Sequence, residues 1–316
     1  MASVRAQSLA EWELLVVLNG CTDASGQVAE ACARRDPRIR CLMIPEPGLV
    51  RALNVGLAVA RGGLIARCDA DDRMLPERLA AQLAALNLRP DWDAVTGGVR
   101  YVAAPDGVSG EGMARYVAWV NSLHTPRDIR MARFIDAPII HPAVMIRRET
   151  LLALGGYRDG PFPEDYDLWL RFFEQGRVCG RVPEDVLEWH DSPGRLTRTD
   201  PRYSRENVRA LKHRFLLSGP LAHGRRCRIW GAGPYGRKHA RELAAQGAHV
   251  DDFIDVDPRK IGRLIGGRPV RGLDSVGPPD ARLVLLCVAH PEARTKAVAF
   301  LEARGYVSER DYLALQ

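Results

Sequence analysis

Short apolar runs alternate with stretches in which apolar residues recur every three or four positions, and this alternation dominates the first ninety or so residues. Glu13–Leu18 (ELLVVL) is a continuous apolar run closed by the turn-rich Asn19-Gly20-Cys21-Thr22-Asp23. It predicts a buried parallel strand followed by a helix with Asp23 as its N-cap. Ile39–Ile44 (IRCLMI), behind the Asp36-Pro37 break, predicts a second strand. Leu49, Leu53, Gly56 and Leu57 share one helical face, and Gly62-Gly63 ends that helix. Leu64–Cys68 is then a third strand running directly into Asp69-Ala70-Asp71-Asp72, and Leu79, Leu83 and Leu86 form a helical stripe behind Pro76. Strands alternating with helices at this pace predict an α/β domain around a mainly parallel sheet.

Ligands in such sheets bind beyond the carboxyl ends of the strands, which is where the acidic cluster falls. In extended chain alternate side chains share a face, so Asp69 and Asp71 are expected to point one way and Asp72 another. Two hard oxygen ligands at one strand end suit Mg²⁺ or Mn²⁺ held jointly with a diphosphate. An acidic turn whose last Asp caps the helix near Pro76 accounts for the same spacing. Farther on, Glu164 and Asp165 follow Pro163 at the start of a helix through Leu168, Trp169 and Phe172, where acids favour the helix dipole with or without chemistry. Asp167 and Arg171, four apart, read as a surface pair.

Composition narrows the class. A chain of 316 residues exceeds one compact core and favours two domains. With 46% hydrophobic and 27% charged residues it is globular rather than disordered. The net charge of +6 comes mostly from scattered Arg, which fits a solvated surface or attraction to anionic substrates, and no basic block calls for nucleic acid. The seven cysteines form no CxxC pair, so neither zinc nor a disulfide framework is indicated and a reducing cytoplasm fits. No stretch approaches eighteen apolar residues and no signal peptide pattern opens the chain, so any membrane contact is expected to be peripheral.

Several segments in order, Trp12–Asp23, Arg51-Ala-Leu-Asn-Val-Gly56, Ala66–Asp72, Pro76–Leu79, His141–Met145, Gly155–Arg158 and Glu164–Arg171, resemble glycosyltransferase family 2 over residues 1 to about 215. The resemblance implies an A-type nucleotide-sugar-binding fold and inverting transfer from a nucleotide-activated sugar, a UDP-sugar by preference, to a hydroxyl of a glycan or glycolipid. Such a metal-dependent, hexosyltransferase-type enzyme would hold its divalent ion on Asp69 and Asp71. Asp165 matches the family's base, with Glu164 holding the acceptor or its neighbour. Asn19 stands where many relatives carry an Asp that accepts a hydrogen bond from the nucleotide base. Arg51 is a candidate for the diphosphate, with an exposed helix Arg as the alternative. Trp189–Arg198 resembles a loop that closes over the donor, with His190 as a further metal or phosphate contact and Arg195 and Arg198 as phosphate candidates. His141 reads as a packed, satisfied histidine. Surface polysaccharide or glycoconjugate synthesis, in the cytoplasm or at the inner face of the membrane, is the setting the family implies.

One departure accompanies the resemblance. Family members begin with a strand of the type apolar-apolar-Pro-x-Tyr-Asn and a helix, whereas Met1–Leu9 corresponds to the end of that helix. The first strand is expected to be missing, and with it about half of the donor-base pocket. A start assigned too far downstream, a fragment, or a truncated non-catalytic partner protein are the three readings this leaves.

Beyond Ser218-Gly219-Pro220 a second domain is expected, 222–316 after a transferase domain of 1–218. Cys227-Arg228-Ile229-Trp230 is a strand entering Gly231-Ala-Gly233-Pro-Tyr-Gly236, followed by a helix from about Arg237 to Gln246. Glycines at these positions permit the turn and close phosphate approach at a helix N-terminus. The strand Asp252–Asp255 ends in an acid where a ribose hydroxyl would be held. The piece resembles small Rossmann-like domains appended to sugar-modifying enzymes. NAD(P) at Gly231, Gly233, Gly236 and Asp255, in an NAD-dependent sugar-modifying enzyme, is the alternative to a retained structural or regulatory domain.

Overall fold

The computed structural model describes residues 1–104 and 110–315. The chain divides into two compact units, one of Met1–Arg130 with Ala137–Asn207, the other of Met131–Asp136 with the residues from Val208 onward.

In the first unit a short helix α1 (Ala2–Arg5) precedes β1 (Leu14–Asn19), α2 (Ser25–Ala33), β2 (Ile39–Ile44), α3 (Leu49–Val59), β3 (Leu64–Ala66), β4 (Arg73–Met74) and α4 (Arg78–Leu88). The chain continues through β5 (Ala94–Val102), α5 (Glu111–Asn121), α6 (Pro126–Met131), β6 (Met145–Arg147), α7 (Arg148–Ala153), α8 (Glu164–Glu174), β7 (Cys179–His190) and α9 (Leu196–Thr199) to α10 (Arg205–Ser218), which belongs to the second unit from Val208 onward. Each element read from periodicity is present within a few residues of its expected ends. Asp23 acts one residue outside the cap position, its carboxylate accepting from Ser25 N–H at 2.9 Å.

The mainly parallel sheet requires correction. β1 and β2 form a parallel pair of their own, and β1 has no other strand partner among the described residues. The larger sheet has the order β3-β6-β5-β7-β4 and is mixed: only β5 and β7 run parallel. β4 and β6 are only two and three residues long, and each lies antiparallel to the strands it pairs with. The core on this sheet joins Met74, Leu79, Leu86, Val95, Val99, Met145, Val186 and Leu187, with Trp189 at its margin.

Asp167 and Arg171 are a second correction. They are not at the surface: the side chains are 0% and 4% exposed and paired at 2.7 Å. α8 presents apolar residues nearly all round, Tyr166, Leu168, Trp169, Leu170, Phe172 and Phe173 being buried, so its polar stripe is interior too. Arg171 spends its other nitrogens on Leu154 O (2.7 Å) and Gly156 O (2.9 Å). Gly156 has φ +66, and a Cβ there would lie 2.6 Å from Asn54 Oδ1. That Asn side chain brackets Tyr157 by accepting from its N–H and donating to its carbonyl, both at 2.9 Å. Asp167→Ala leaves a buried guanidinium without its carboxylate, and the expected cost is about 3–5 kcal/mol. Urea unfolding followed by tryptophan fluorescence checks this, since five of the six tryptophans lie in the first unit.

The second unit contains β8 (Cys227–Trp230), α11 (Pro234–Ala245), β9 (Val250–Ile254), β10 (Leu264–Ile265), β11 (Arg268–Arg271), β12 (Leu283–Leu286), α12 (Pro291–Glu302) and β13 (Tyr312–Ala314). Its sheet order is β10-β11-β9-β8-β12-β13, parallel except for the β10–β11 hairpin. β8 and β12 are buried on both faces, β12 wholly apolar and β8 carrying Arg228, which is paired with Asp252 of β9 at 2.8 Å. Residues 131–136 belong here because Lys212 donates to Ile135 O at 2.6 Å and Arg133 is paired with Glu309. No helix among the described residues is long and apolar enough to cross a membrane.

Candidate functional site

β3 ends at Ala66 and the chain turns back at once, Asp72 N–H reaching Asp69 O at 3.3 Å, before entering β4. The turn removes the alternation expected of extended chain. Asp72 therefore does not point away: one carboxylate oxygen from each of Asp69, Asp71 and Asp72 lies within 4.8 Å of the others. β4 is antiparallel to β7, with Arg73 opposite Glu188. That register sets Asp72 against the end of β7, where its Oδ1 accepts from His190 N–H at 3.1 Å.

Three carboxylates so close repel one another. Burial first, then the Asp69 and Asp71 charges, push Asp72 up to about 7. Its second oxygen, Oδ2, and the Nδ1 of His190 are buried and have no hydrogen-bond partner among the described residues. Buried polar atoms are rarely left so. Oxygen and imidazole donors that lack partners beside two further carboxylates are a set that fits a divalent cation. The expected ligands Asp69, Asp71 and His190 thus fall in one region, and Asp72 joins them through a strand pairing that the sequence does not reveal.

The loop after β7 is tied down over this end of the sheet. Arg198 grips Asp191 with two nitrogens at 2.7 and 2.6 Å, and Tyr101 OH donates to the same carboxylate at 2.6 Å. The Arg198 contact is the main reason that Asp191 is held down at about 2. Arg195 donates to His190 O at 2.8 Å, lies 3.9 Å over the Trp189 ring and comes within 3.8 Å of Asp72 Oδ1. Of the two phosphate candidates, Arg195 is thus beside the acidic cluster and Arg198 serves the loop.

Two other expected donor contacts are engaged within the chain. Asn19 Oδ1 accepts from Gly48 N–H at 2.8 Å. Arg51, its side chain 55% exposed, pairs with Glu46 at 2.7 Å.

The acid pair stands at the first turn of α8. Glu164 is 2% exposed and accepts from Tyr203 OH at 2.8 Å. Asp165 Oδ1 accepts from Tyr166 N–H at 2.7 Å. Burial first, and then the Glu164 charge, push Asp165 up to about 7, the range in which a carboxylate accepts and releases protons at neutral pH. His141 is buried with its Nε2 2.8 Å from Tyr157 OH, and burial lowers its affinity for a proton. It is the satisfied histidine its setting predicted. Tyr203 escaped the sequence reading because nothing local links it to a residue 39 positions earlier.

In the second unit the glycine-rich turn has the expected form. Gly231 has φ +106, and a Cβ on Gly236 would lie 1.8 Å from Gly231 O. Gly233 caps α11 without close neighbours. Asp255, expected to hold a ribose hydroxyl, is committed to the chain: it accepts from Ala232 N–H (2.8 Å), Asp257 N–H (2.9 Å) and Lys260 Nζ (3.0 Å). Against the opposing effect of burial, these donors hold its carboxyl below the usual range. Asp255 braces the turn from inside.

Comparison with known proteins places these observations. The sequence profile described as glycosyl transferase family 2 matches residues 1–155. The Bacillus subtilis (strain 168) protein EpsE, which carries a glycosyltransferase name, is 31% identical over 211 residues, 65% of this chain and 72% of that one. The amylovoran biosynthesis glycosyltransferase AmsE of Erwinia amylovora is 28% identical over 189 residues, covering 60% of this chain and 68% of its own length. Among solved structures, S. aureus TarS 1-349 in complex with UDP-GlcNAc superposes with a TM-score of 0.53 at 16% identity. That match covers 77% of this chain and 66% of TarS 1-349, just under two thirds. It shows a shared A-type glycosyltransferase fold.

Proposed function

The chain belongs to glycosyltransferase family 2, and from that premise we propose that it transfers a sugar from a nucleotide-diphosphate donor, a UDP-sugar by preference, to a hydroxyl of a glycan or glycolipid. The single observation that carries this reading is the carboxylate cluster of Asp69, Asp71 and Asp72 with its unpartnered donors at the mouth of β3. It lies in the same unit as Asp165, whose proton affinity is raised by burial and by the Glu164 charge. Asp69, Asp71 and Asp72, with His190, would hold Mn²⁺ or Mg²⁺. When bound, such an ion supplies Lewis-acid stabilisation of a departing diphosphate.

The remaining chemistry is assigned to the chain's own groups. Arg195, beside the cluster, adds positive charge where the diphosphate separates. Asp165, ionised, takes the proton of the acceptor hydroxyl as that oxygen attacks the anomeric carbon and the nucleoside diphosphate leaves, a single displacement with inversion. Glu164, fixed by Tyr203, orients the acceptor. Asn19 keeps its amide N–H₂ for the nucleotide base, and Arg51 reaches the diphosphate only by leaving Glu46.

The names of relatives, amylovoran biosynthesis in one case, support a role in surface polysaccharide or glycoconjugate synthesis, in the cytoplasm at the inner face of the membrane. We read residues 1–218 as the transferase domain and 222–316 as a Rossmann-like domain kept for structure or regulation, since Asp255 is occupied within the chain.

A thermal-shift screen of UDP, dTDP, GDP and NAD, each with and without Mn²⁺, tests the reading. A nucleoside diphosphate at a hundred times its Kd is expected to add about 2.7 kcal/mol of stability, several degrees of melting temperature, only when Mn²⁺ is present. A shift with NAD alone, or with none of the four, would sink it.

A further inference from the structure

Two buried polar side chains of α4 have no part in the chemistry above. Arg78, the first residue of the helix, is 1% exposed, and Gln82, four residues on and therefore on the same face, is fully buried. Taking a guanidinium out of water is costly unless anions or a full set of acceptors offset it. Among the described residues none of the hydrogen-bond partners of Arg78 is an acid. Its Nε donates to Gln82 Oε1 at 3.1 Å, its Nη1 to Pro142 O at 2.7 Å, and its Nη2 to Arg67 O at 2.8 Å and Val144 O at 3.1 Å. Gln82 Nε2 continues the set, donating to Ala143 O at 2.8 Å and Val95 O at 3.2 Å.

The acceptors explain the pair. His141–Ala143 is a single turn of 3-10 helix, buried throughout, and leads through Val144 into β6. A buried segment of this irregular kind cannot satisfy its carbonyls in a strand ladder, so the donors must come from side chains. The same guanidinium also holds Arg67 O, two residues before Asp69. β3 is three residues long, and its ladder to β6 ends with Ala66 opposite Met145. Just beyond it, Arg67 N–H donates to Val144 O at 3.2 Å. Arg67 and Val144 are thus joined directly by their backbones and a second time through Arg78.

We infer that Arg78 is a positioning residue for the carboxylate cluster: braced by Gln82, its guanidinium pins the exit of β3 to the entry of β6 and so fixes where the turn bearing Asp69, Asp71 and Asp72 begins. The inference rests on the proposed role of that cluster. It accounts for an arginine, rather than an apolar residue, at a buried position of the Pro76-Glu77-Arg78-Leu79 segment. A planar fork reaches three carbonyls and a neighbouring amide at once, whereas lysine carries the same charge at a single point. A residue that merely stabilised the fold would change the melting temperature and leave the hold of the cluster on an ion as it was.

The test uses the full chain as wild type, Arg78→Lys, Gln82→Met and Arg147→Lys. Arg147 is the control, because it stitches the other end of β6 in the same manner, donating to Trp92 O at 2.9 Å and Leu86 O at 3.0 Å. Melting curves and amide hydrogen exchange are recorded on the metal-free proteins, and Mn²⁺ alone is titrated by the paramagnetic resonance of the free ion. Arg78→Lys is expected to speed exchange at residues 67–72 by about tenfold or more and to weaken Mn²⁺ binding by about tenfold or more. Arg147→Lys should lower the melting temperature while keeping the exchange of that turn and the Mn²⁺ affinity within about twofold of wild type. Equal losses in the two variants, or a folded Arg78→Lys that binds Mn²⁺ as wild type does, overturn the inference. Should Arg78→Lys fail to fold, Gln82→Met decides, since it removes the brace and leaves the backbone acceptors of Arg78 in place. About threefold faster exchange at 67–72 with weaker Mn²⁺ binding then supports the inference, and changes confined to α4 and β5 overturn it. If the wild type takes up no Mn²⁺, the reading of the cluster as an ion site fails, while the exchange measurement still decides whether Arg78 fixes the turn.

Discussion

Asp165→Asn is expected to lower kcat by about a thousandfold while leaving the melting temperature and the affinity for the nucleoside diphosphate close to wild type. The amide keeps the shape of the side chain and can still accept from Tyr166 N–H, so folding has little to lose. It cannot take a proton from the acceptor, and base catalysis of this kind is worth about 10²–10⁴-fold. The pH dependence gives the sign. Asp165 is pushed up to about 7 by burial and by Glu164, so the carboxylate form grows as pH rises through neutrality. Wild-type kcat/KM should therefore climb with an acidic limb near that value and level off above it. The Asn variant should retain a small activity without that limb. Stopped assays from pH 5.5 to 9, with circular dichroism on both proteins, check the expectation. A variant with wild-type turnover would move the base elsewhere.

Asp71→Ala is expected to abolish Mn²⁺-dependent stabilisation by a nucleoside diphosphate and to reduce turnover by about two to three orders of magnitude. Asp71 is exposed at the turn after β3, in the carboxylate group with Asp69 and Asp72. Its loss should leave the protein folded, and in the absence of ligand slightly more stable, because a like charge is taken away from Asp69 and Asp72. Isothermal titration with Mn²⁺ and UDP, beside a melting curve without ligand, separates these effects. A variant that binds Mn²⁺ and UDP as wild type does would show that the cluster is only an acidic turn.

Much of this protein is legible one segment at a time. Apolar runs place β1, β2 and β8 within a residue, and helical stripes place α3 and α4 within a few residues of their ends, because local periodicity and chain breakers decide them. The ordered motifs around Asp69, Asp71, Glu164 and Asp165 identify the family before any coordinate is known, since each motif is a short local string.

What the sequence leaves open depends on partners far along the chain. Asp72 joins the cluster because β4 pairs with β7, which brings it to His190, 118 positions away. Glu164 is fixed by Tyr203, and Arg198 and Tyr101 meet at Asp191, 90 positions from Tyr101. The Asp167–Arg171 pair has surface spacing yet lies in the core, because α8 is enclosed by elements that its own sequence does not name. Asp255 reads in the sequence as an acid for a ribose hydroxyl, and only the fold shows its oxygens already taken by Ala232, Asp257 and Lys260. The sequence by itself determined the elements, the family and the residue types of the site. Sheet register and burial, which arise when distant segments pack, decided which of those side chains face one another and how strongly each holds its charge.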